Sequence, residues 1–210
     1  MAKRCFDIIV ALIGLILLTP VFLIVALAIR LDSPGPVFYI GKRIGKDGAP
    51  FGIIKFRTMV DHADRMGAAL TQGQDRRVTP VGRFLRKWKL DELPQLLNVL
   101  RGEMSVVGPR PEAPCYVEHY TAEQRCVLQV KPGITGLTQV RFRHEECLLQ
   151  RCRDVEEEYV REIMPRKLAL DLEYIGNRSL LLDMKLIVQT FMCLFETDGM
   201  AEREQVAVTR

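Results

Sequence analysis

IIVALIGLILLTPVFLIVALAI, residues 8–29, carries no charged side chain over 22 positions. As a helix it would be about 33 Å long, enough for the roughly 30 Å hydrocarbon core of a bilayer. Three readings compete for it. Lys3 and Arg4 make a basic start and Ala26-Leu27-Ala28 resembles a cleavage site, as in a secretory signal. The run is too long for a usual signal, however, and cleavage would leave a chain starting Ile29-Arg30. The second reading is a helix that crosses the bilayer, and the third is one that enters and returns. Pro20 lies mid-run and has no N–H, so the Ile16 carbonyl loses its helical partner and a kink is expected. Thr19 can offer its hydroxyl to a freed carbonyl. Basic residues flank both ends: Lys3 and Arg4 before, then Arg30, Lys42, Arg43 and Lys46 after. A spanning helix concentrates positive charge on one side, whereas a hairpin keeps both ends on the cytosolic face. Pattern alone leaves the kinked span and the hairpin near parity.

Outward from this segment the chain is globular in composition. Its 210 residues make one domain or one domain plus an appendage. Hydrophobic residues are 48% and charged residues 27%, which argues against a disordered chain. Thirty Lys and Arg against 26 Asp and Glu leave a net charge of +4, too small to point by itself to nucleic acid. Cysteines 5, 115, 126, 147, 152 and 193 include no C-x-x-C pair, so they read as reduced thiols. His62, His119 and His144 are far apart and suggest no metal site.

Asp32-Ser33-Pro34-Gly35-Pro36 is a turn. Val37 to Ile40 and Phe51 to Arg57 read as strands, with the hairpin signal Asp47-Gly48 between them. Lys55 and Arg57, two apart, share a face and could hold a phosphate, or simply be a solvated strand face. Residues 61–75 read as loose or partly helical. Arg76, Arg77, Arg83, Arg86, Lys87 and Lys89 put six cations into fourteen residues, with Phe84, Leu85 and Trp88 on one helical side. Such a helix suits a membrane surface or nucleic acid, and the N-terminal segment favours lipid.

Pro94 is expected to open a helix and Gly102 to end it, which puts Asp91 and Glu92 at its N-terminus. Adjacent acids there are ordinary helix-start residues or, at a break, can converge on one metal or phosphate. Gly108-Pro109-Arg110-Pro111 is a rigid loop presenting one Arg, and Lys131-Pro132-Gly133-Ile134-Thr135-Gly136 is a second rigid turn. Residues 145–163 show helical spacing, with Val155, Tyr159 and Ile163 on one side and a break at Pro165. A short helix is expected over 166–175, and a last one over 180–195 capped by Ser179. No internal repeat is visible, and residues 197–210 read as a flexible tail.

Taken together these blocks resemble the bacterial sugar transferases, monotopic phosphoglycosyl transferases that start glycan assembly on polyprenyl phosphate. The resemblance rests on KRCFDII at 3–9, DSPGPVFY at 32–39, KFRTM at 55–59, RVTPVGRFLRK at 77–87, LDELPQLLNVLRGEMSVVGPRPE at 90–112 and KPGITGLTQV at 131–140. It runs from residue 3 to about 196. With the match starting at residue 3, the resemblance is expected to be to the family's minimal members, without an upstream multi-span domain.

The resemblance implies that Asp91 is a nucleophile and Glu92 a Mg²⁺ ligand. It implies a helix-rich α+β monotopic membrane protein with a re-entrant helix broken at Thr19 and Pro20, interfacial amphipathic helices and a small β-hairpin. Expected boundaries are 1–32 for the membrane anchor, 33–196 for a catalytic domain on the cytosolic face of the inner membrane, and 197–210 for the tail. Expected partners are a UDP-sugar, polyprenyl phosphate and membrane lipids, with a homodimer allowed for and no nucleic acid. Lys55, Arg57 and Arg110 become candidate phosphate contacts, Arg110 having the better geometry for a bidentate grip. The resemblance implies products that serve exopolysaccharide, lipopolysaccharide or glycoprotein assembly. Two departures stand out: Thr19-Pro20 where relatives often read S-P, and Arg141-Phe142-Arg143 where many continue N-G. A non-catalytic adaptor binding anionic lipid is the rival, against which the intact acid pair weighs.

Overall fold

The apolar run folds as one helix, α1 (Ala2–Asp32), in a computed structural model that describes residues 1–63, 66, 75–142 and 155–195. The helix passes through Pro20 without interruption. The Thr19 hydroxyl donates to the Leu15 carbonyl at 2.8 Å, next to the Ile16 carbonyl that Pro20 cannot serve. The expected break at Thr19 and Pro20 is therefore not a gap between two helices, and any change of direction there is a bend within one. It is the one helix among the described residues long and apolar enough to cross a membrane.

Ile9, Leu12, Ile13, Ile16, Leu17, Leu23, Ile24, Leu27 and Leu31 recur at helical spacing and form an exposed stripe along α1. The opposite face packs on the rest of the chain. Ala11 joins Leu96, Val99, Met104, Val107 and Leu186 in one apolar cluster, while Val25 and Ile29 join Phe56 and Leu85 in another. Both ends of the helix are also tied by polar contacts. Lys3 pairs with Asp183 at 2.7 Å, and Arg4 donates to the Val99 and Leu100 carbonyls at 2.6 and 3.0 Å. The buried Asp7 carboxylate accepts from the Ser105 hydroxyl and the Val106 N–H. At the other end Asp32 accepts from the Val81 N–H.

The expected hairpin forms from β1 (Phe38–Ile44) and β2 (Pro50–Phe56), antiparallel, with Tyr39 opposite Lys55. Its turn holds Asp47 and Gly48 at φ 57° and 75°, the left-handed region that makes Asp-Gly a hairpin signal. Next, α2 (Pro80–Lys87) is capped by the Thr79 hydroxyl, which accepts from the Gly82 N–H at 3.0 Å. Leu85 faces the core and Phe84 faces outward. After α3 (Gln95–Arg101), closed by Gly102 at φ 83°, come two strands that the sequence reading missed. They are β3 (Ser105–Val107) and β4 (Gly133–Thr135), paired in parallel. Between them lies α4 (Pro114–Val117) and after them α5 (Leu137–Arg141).

Pro165 does not break the chain as expected. A short α6 (Val155–Glu158) widens into a π-helical turn at Tyr159–Ile163 and continues as α7 (Met164–Asn177), with Pro165 in its first turn, where a missing N–H is tolerated. Tyr159 and Ile163 are buried on one side, as their spacing predicted. Finally α8 (Leu180–Phe195) starts with the Leu182 N–H donating to the Ser179 hydroxyl at 3.1 Å. Its Leu181, Met184, Val188, Phe191 and Met192 form a second exposed apolar face. The readings for 64–65, 67–74, 145–154 and 197–210 lie outside the described residues.

Candidate active site

The acids Asp91 and Glu92 sit in a 3₁₀ turn (Leu90–Glu92) between α2 and α3. Lys89 enters that turn at φ 54°, a left-handed conformation that a non-glycine residue adopts at a cost of about 1 kcal/mol or more. The reversal swings both acids inward, so that Asp91 and Glu92 are only 7% and 9% exposed. A carboxylate pair has to be compensated to survive such burial. For Glu92 it is: Lys55 Nζ lies 2.8 Å and Arg110 Nη2 3.0 Å from the same oxygen, Oε1. Oε2 takes no hydrogen bond from the described residues. Asp91 differs, since its buried Oδ1 has no hydrogen-bond partner among the described residues. A polar atom orphaned in the interior costs roughly 1–3 kcal/mol, which marks it as a place where something else binds or reacts.

The electrostatics separate the two acids. Burial alone would raise the Glu92 carboxyl, but the Arg110, Lys55 and Lys89 cations and the Lys55 hydrogen bond overcome it and hold Glu92 well below the usual carboxylate range. Burial pushes Asp91 up, with the Glu92 charge adding to the rise while Lys55, Lys89 and Arg86 pull against it. One acid is a fixed anion and its neighbour is a destabilised one, a division of roles that active sites exploit.

Of the residues singled out from sequence, the structure brings together Asp91, Glu92, Lys55 and Arg110. It places Arg57 elsewhere. The Arg57 guanidinium donates to the Pro34, Ser33 and Ile29 carbonyls at 2.5, 2.7 and 3.4 Å, tying off the C-terminal end of α1. Gly35, at φ 119°, makes room for it, since a Cβ there would lie 2.1 Å from Arg57 Nη1. Replacing Arg57 by Met is expected to cost roughly 3 kcal/mol of stability, because charged hydrogen bonds to carbonyls are lost. Thermal unfolding should report that loss while KM for a phosphate-bearing substrate stays constant; a raised KM at unchanged stability would return Arg57 to the phosphate contacts. Thr19 and Pro20 lie in α1, outside the cluster.

Two cations were read only as part of a membrane-facing basic segment. The charges of Lys89 and Arg86 act on Asp91, and Arg86 Nε also donates to the Thr58 hydroxyl at 2.9 Å. Their position two and five residues before Asp91 was the available signal.

The acid pair fits a Mg²⁺ ion. No group of three or more His, Cys, Asp or Glu side chains with metal-binding spacing occurs among the described residues. Mg²⁺ does not need one, since it is held by one or two carboxylates with water and substrate phosphates filling the rest of its shell. Glu92, with the unpartnered oxygen of Asp91 beside it, meets that description.

Two buried acids, with Lys55 and Arg110 on Glu92, thus lie in a chain whose α1 is long and apolar enough to cross a membrane. Residues 1–197 match the model of the bacterial sugar transferases, and the chain belongs to that family. A UDP-glucose:undecaprenyl-phosphate glucose-1-phosphate transferase of Caulobacter vibrioides is 44% identical over 200 residues, covering 94% of this chain and 71% of that protein. An exopolysaccharide production protein of Sinorhizobium fredii is 38% identical, covering 92% of this chain and 86% of its own length. An Escherichia coli protein with the same name as the Caulobacter relative is 42% identical, but this chain spans only 39% of it.

Proposed function

We propose that the chain is a phosphoglycosyl transferase that moves a sugar-1-phosphate from a UDP-sugar to polyprenyl phosphate through a covalent phosphosugar on Asp91. The observation that carries this reading is Asp91 itself, buried, with one oxygen unpartnered, beside a Glu92 charge fixed by Lys55 and Arg110. A carboxylate oxygen of Asp91 attacks the sugar-bearing phosphorus of the donor. The new O–P bond forms as the bond to the bridging pyrophosphate oxygen breaks, and UMP leaves with that oxygen. Polyprenyl phosphate then attacks the same phosphorus, the acyl phosphate bond breaks, and the Asp91 carboxylate returns. Lys55 and Arg110 face the donor's negative charge and orient it. Lys89 and Arg86 favour the ionised form of Asp91. Mg²⁺, held by Glu92, would neutralise phosphate charge that otherwise repels an anionic nucleophile.

The names of the relatives, which specify UDP-sugar donors and an undecaprenyl phosphate acceptor, support the substrate pair. A screen of UMP release across UDP-sugars with polyprenyl phosphate and Mg²⁺, starting from UDP-glucose, tests it. No release with any donor would reject the reading.

The helix α1 is read here as re-entrant, with both ends and the catalytic site on the cytosolic face of the inner membrane. Lys3, Arg4 and Asp7 at one end and Asp32 and Ser33 at the other all bond to the same folded unit. A 31-residue helix crossing straight would put those ends about 46 Å apart on opposite sides of the bilayer. In a cysteine-free background, Ala2→Cys and Ser33→Cys should both resist a membrane-impermeant thiol reagent added to intact cells. Labelling at either site from the periplasm would contradict re-entry. Pro20→Leu restores an N–H for the Ile16 carbonyl and should shift molecules toward a straight span, with one end newly labelled.

A further inference from the structure

Arg110 reaches Glu92 from a loop, and its usefulness depends on how firmly that loop is held. One side of residues 108–112 is fixed by backbone. The Gly108 N–H donates to the Thr135 carbonyl at 2.9 Å, the Gly133 N–H to the Pro109 carbonyl at 2.8 Å, and the Ile44 N–H to the Glu112 carbonyl at 3.0 Å. A Cβ on Gly133 would lie 2.1 Å from the Gly108 nitrogen, so the two strands approach as closely as backbone allows.

The other side is gripped by side chains from α7 and the π-helical turn. Lys167 and Asp171 are four residues apart and so share one face of α7. Lys167 Nζ donates to Glu112 Oε1 at 3.2 Å and to the Tyr159 hydroxyl at 2.9 Å, and that hydroxyl donates to Glu112 Oε1 at 2.6 Å. One turn along, the Asp171 carboxylate accepts the Thr138 hydroxyl at 2.5 Å. Lys167, Asp171 and Tyr159 are 5%, 4% and 2% exposed. An apolar interface of the same volume would hold the fold as well, so a buried polar network here has to be explained by the direction it imposes.

We infer that Lys167 and Tyr159 are positioning residues for the transfer reaction: they clamp the carboxylate of Glu112, two residues from Arg110, and so hold the Arg110 guanidinium on Glu92. The clamp rests on the proposed role of Arg110. It acts at a distance, since Arg110 and Glu112 stand between these side chains and the acid pair.

The test uses the full chain in lipid nanodiscs with the UDP-sugar that the UMP-release screen selects. Tyr159→Phe removes one oxygen and keeps the ring, which packs edge-on against Tyr116 at 4.9 Å between centroids. Lys167→Met removes the ammonium at similar length. A misplaced guanidinium should lower kcat about 10- to 100-fold with little change in KM. In an Arg110→Ala background the same two substitutions should cost less than about twofold, since there is no guanidinium left to place. If Arg110→Ala impairs the enzyme while Tyr159→Phe costs equally with and without Arg110, or costs nothing, the clamp is refuted and the site reading stands. If Arg110→Ala itself turns over normally, the role of Arg110 falls and the clamp falls with it.

Discussion

Asp91→Asn is expected to abolish turnover, by a factor on the order of 10⁴ or more, while leaving the protein at least as stable as the parent. The activity loss follows from removing the anionic carboxylate, the only protein group proposed to bond to phosphorus; nucleophile deletions in other enzymes have costs of this order or larger. The stability expectation follows from the sign of the Asp91 shift. Burial raises its carboxyl, so at neutral pH the ionised form is a burden on the folded state rather than a support. Asn has nearly the same volume and no charge, so that burden is removed. Thermal unfolding should therefore show an unchanged or higher midpoint. The same shift has a kinetic consequence. Attack needs the ionised acid, so the rate should fall on the acid side at a higher pH than for an exposed aspartate. Lys55→Met removes the largest influence that opposes the rise and should move that limb further up.

Glu92→Gln should be the second most damaging change, and it should damage in a different way. Lys55 and Arg110 share its Oε1, and both lose their counter-ion at once. Activity should fall roughly 10²- to 10³-fold, the usual range for losing one electrostatic contact to a transition state. Stability should fall as well, by roughly 3 kcal/mol, as when one partner is taken from a buried ion pair. The parent should lose activity on chelation with EDTA and regain it with Mg²⁺, whereas the residual rate of Glu92→Gln should respond little. A parent enzyme fully active in EDTA would remove the metal from the account. The contrast between the two variants, one stable and dead, the other weakened in both respects, separates a reacting acid from an anchoring one.

The parts of this molecule visible in its sequence are those set by local chemistry. Twenty-two uncharged residues form a helix, Asp47-Gly48 turns a hairpin, Ser179 caps the last helix, and Gly102 closes α3. The acid pair was visible as a pair. Its environment was legible only in part: Lys55 and Arg110, singled out as cations, arrive at Glu92 from distant elements, but Lys89 and Arg86 were absorbed into a basic stripe. Arg57 shows the limit clearly. Strand alternation set it two residues from Lys55, yet its guanidinium turns to carbonyls of the α1 terminus, which no local pattern encodes. The β3–β4 pair escaped because three residues give no period to read, and its close approach rests on glycines 25 positions apart, Gly108 and Gly133. Pro165 misled because a wider helical turn before it changed what the ring would meet. The Glu112–Lys167–Tyr159 contact joins side chains up to 55 residues apart and had no signature beyond its own residues.

The covalent step is the centre of the account, and one incubation tests it. The protein is mixed with UDP-sugar and Mg²⁺ in the absence of lipid acceptor, UMP is followed from the first milliseconds, and the digested peptides are weighed. Covalent transfer through Asp91 gives a burst of about one UMP per enzyme and a phosphosugar mass on the peptide that holds Asp91, both lost in Asp91→Asn. Acyl phosphates are labile, so the burst and the mass are read together. Neither a burst nor an adduct would mean that polyprenyl phosphate attacks the donor directly, and a phosphosugar on another residue would move the nucleophile away from Asp91.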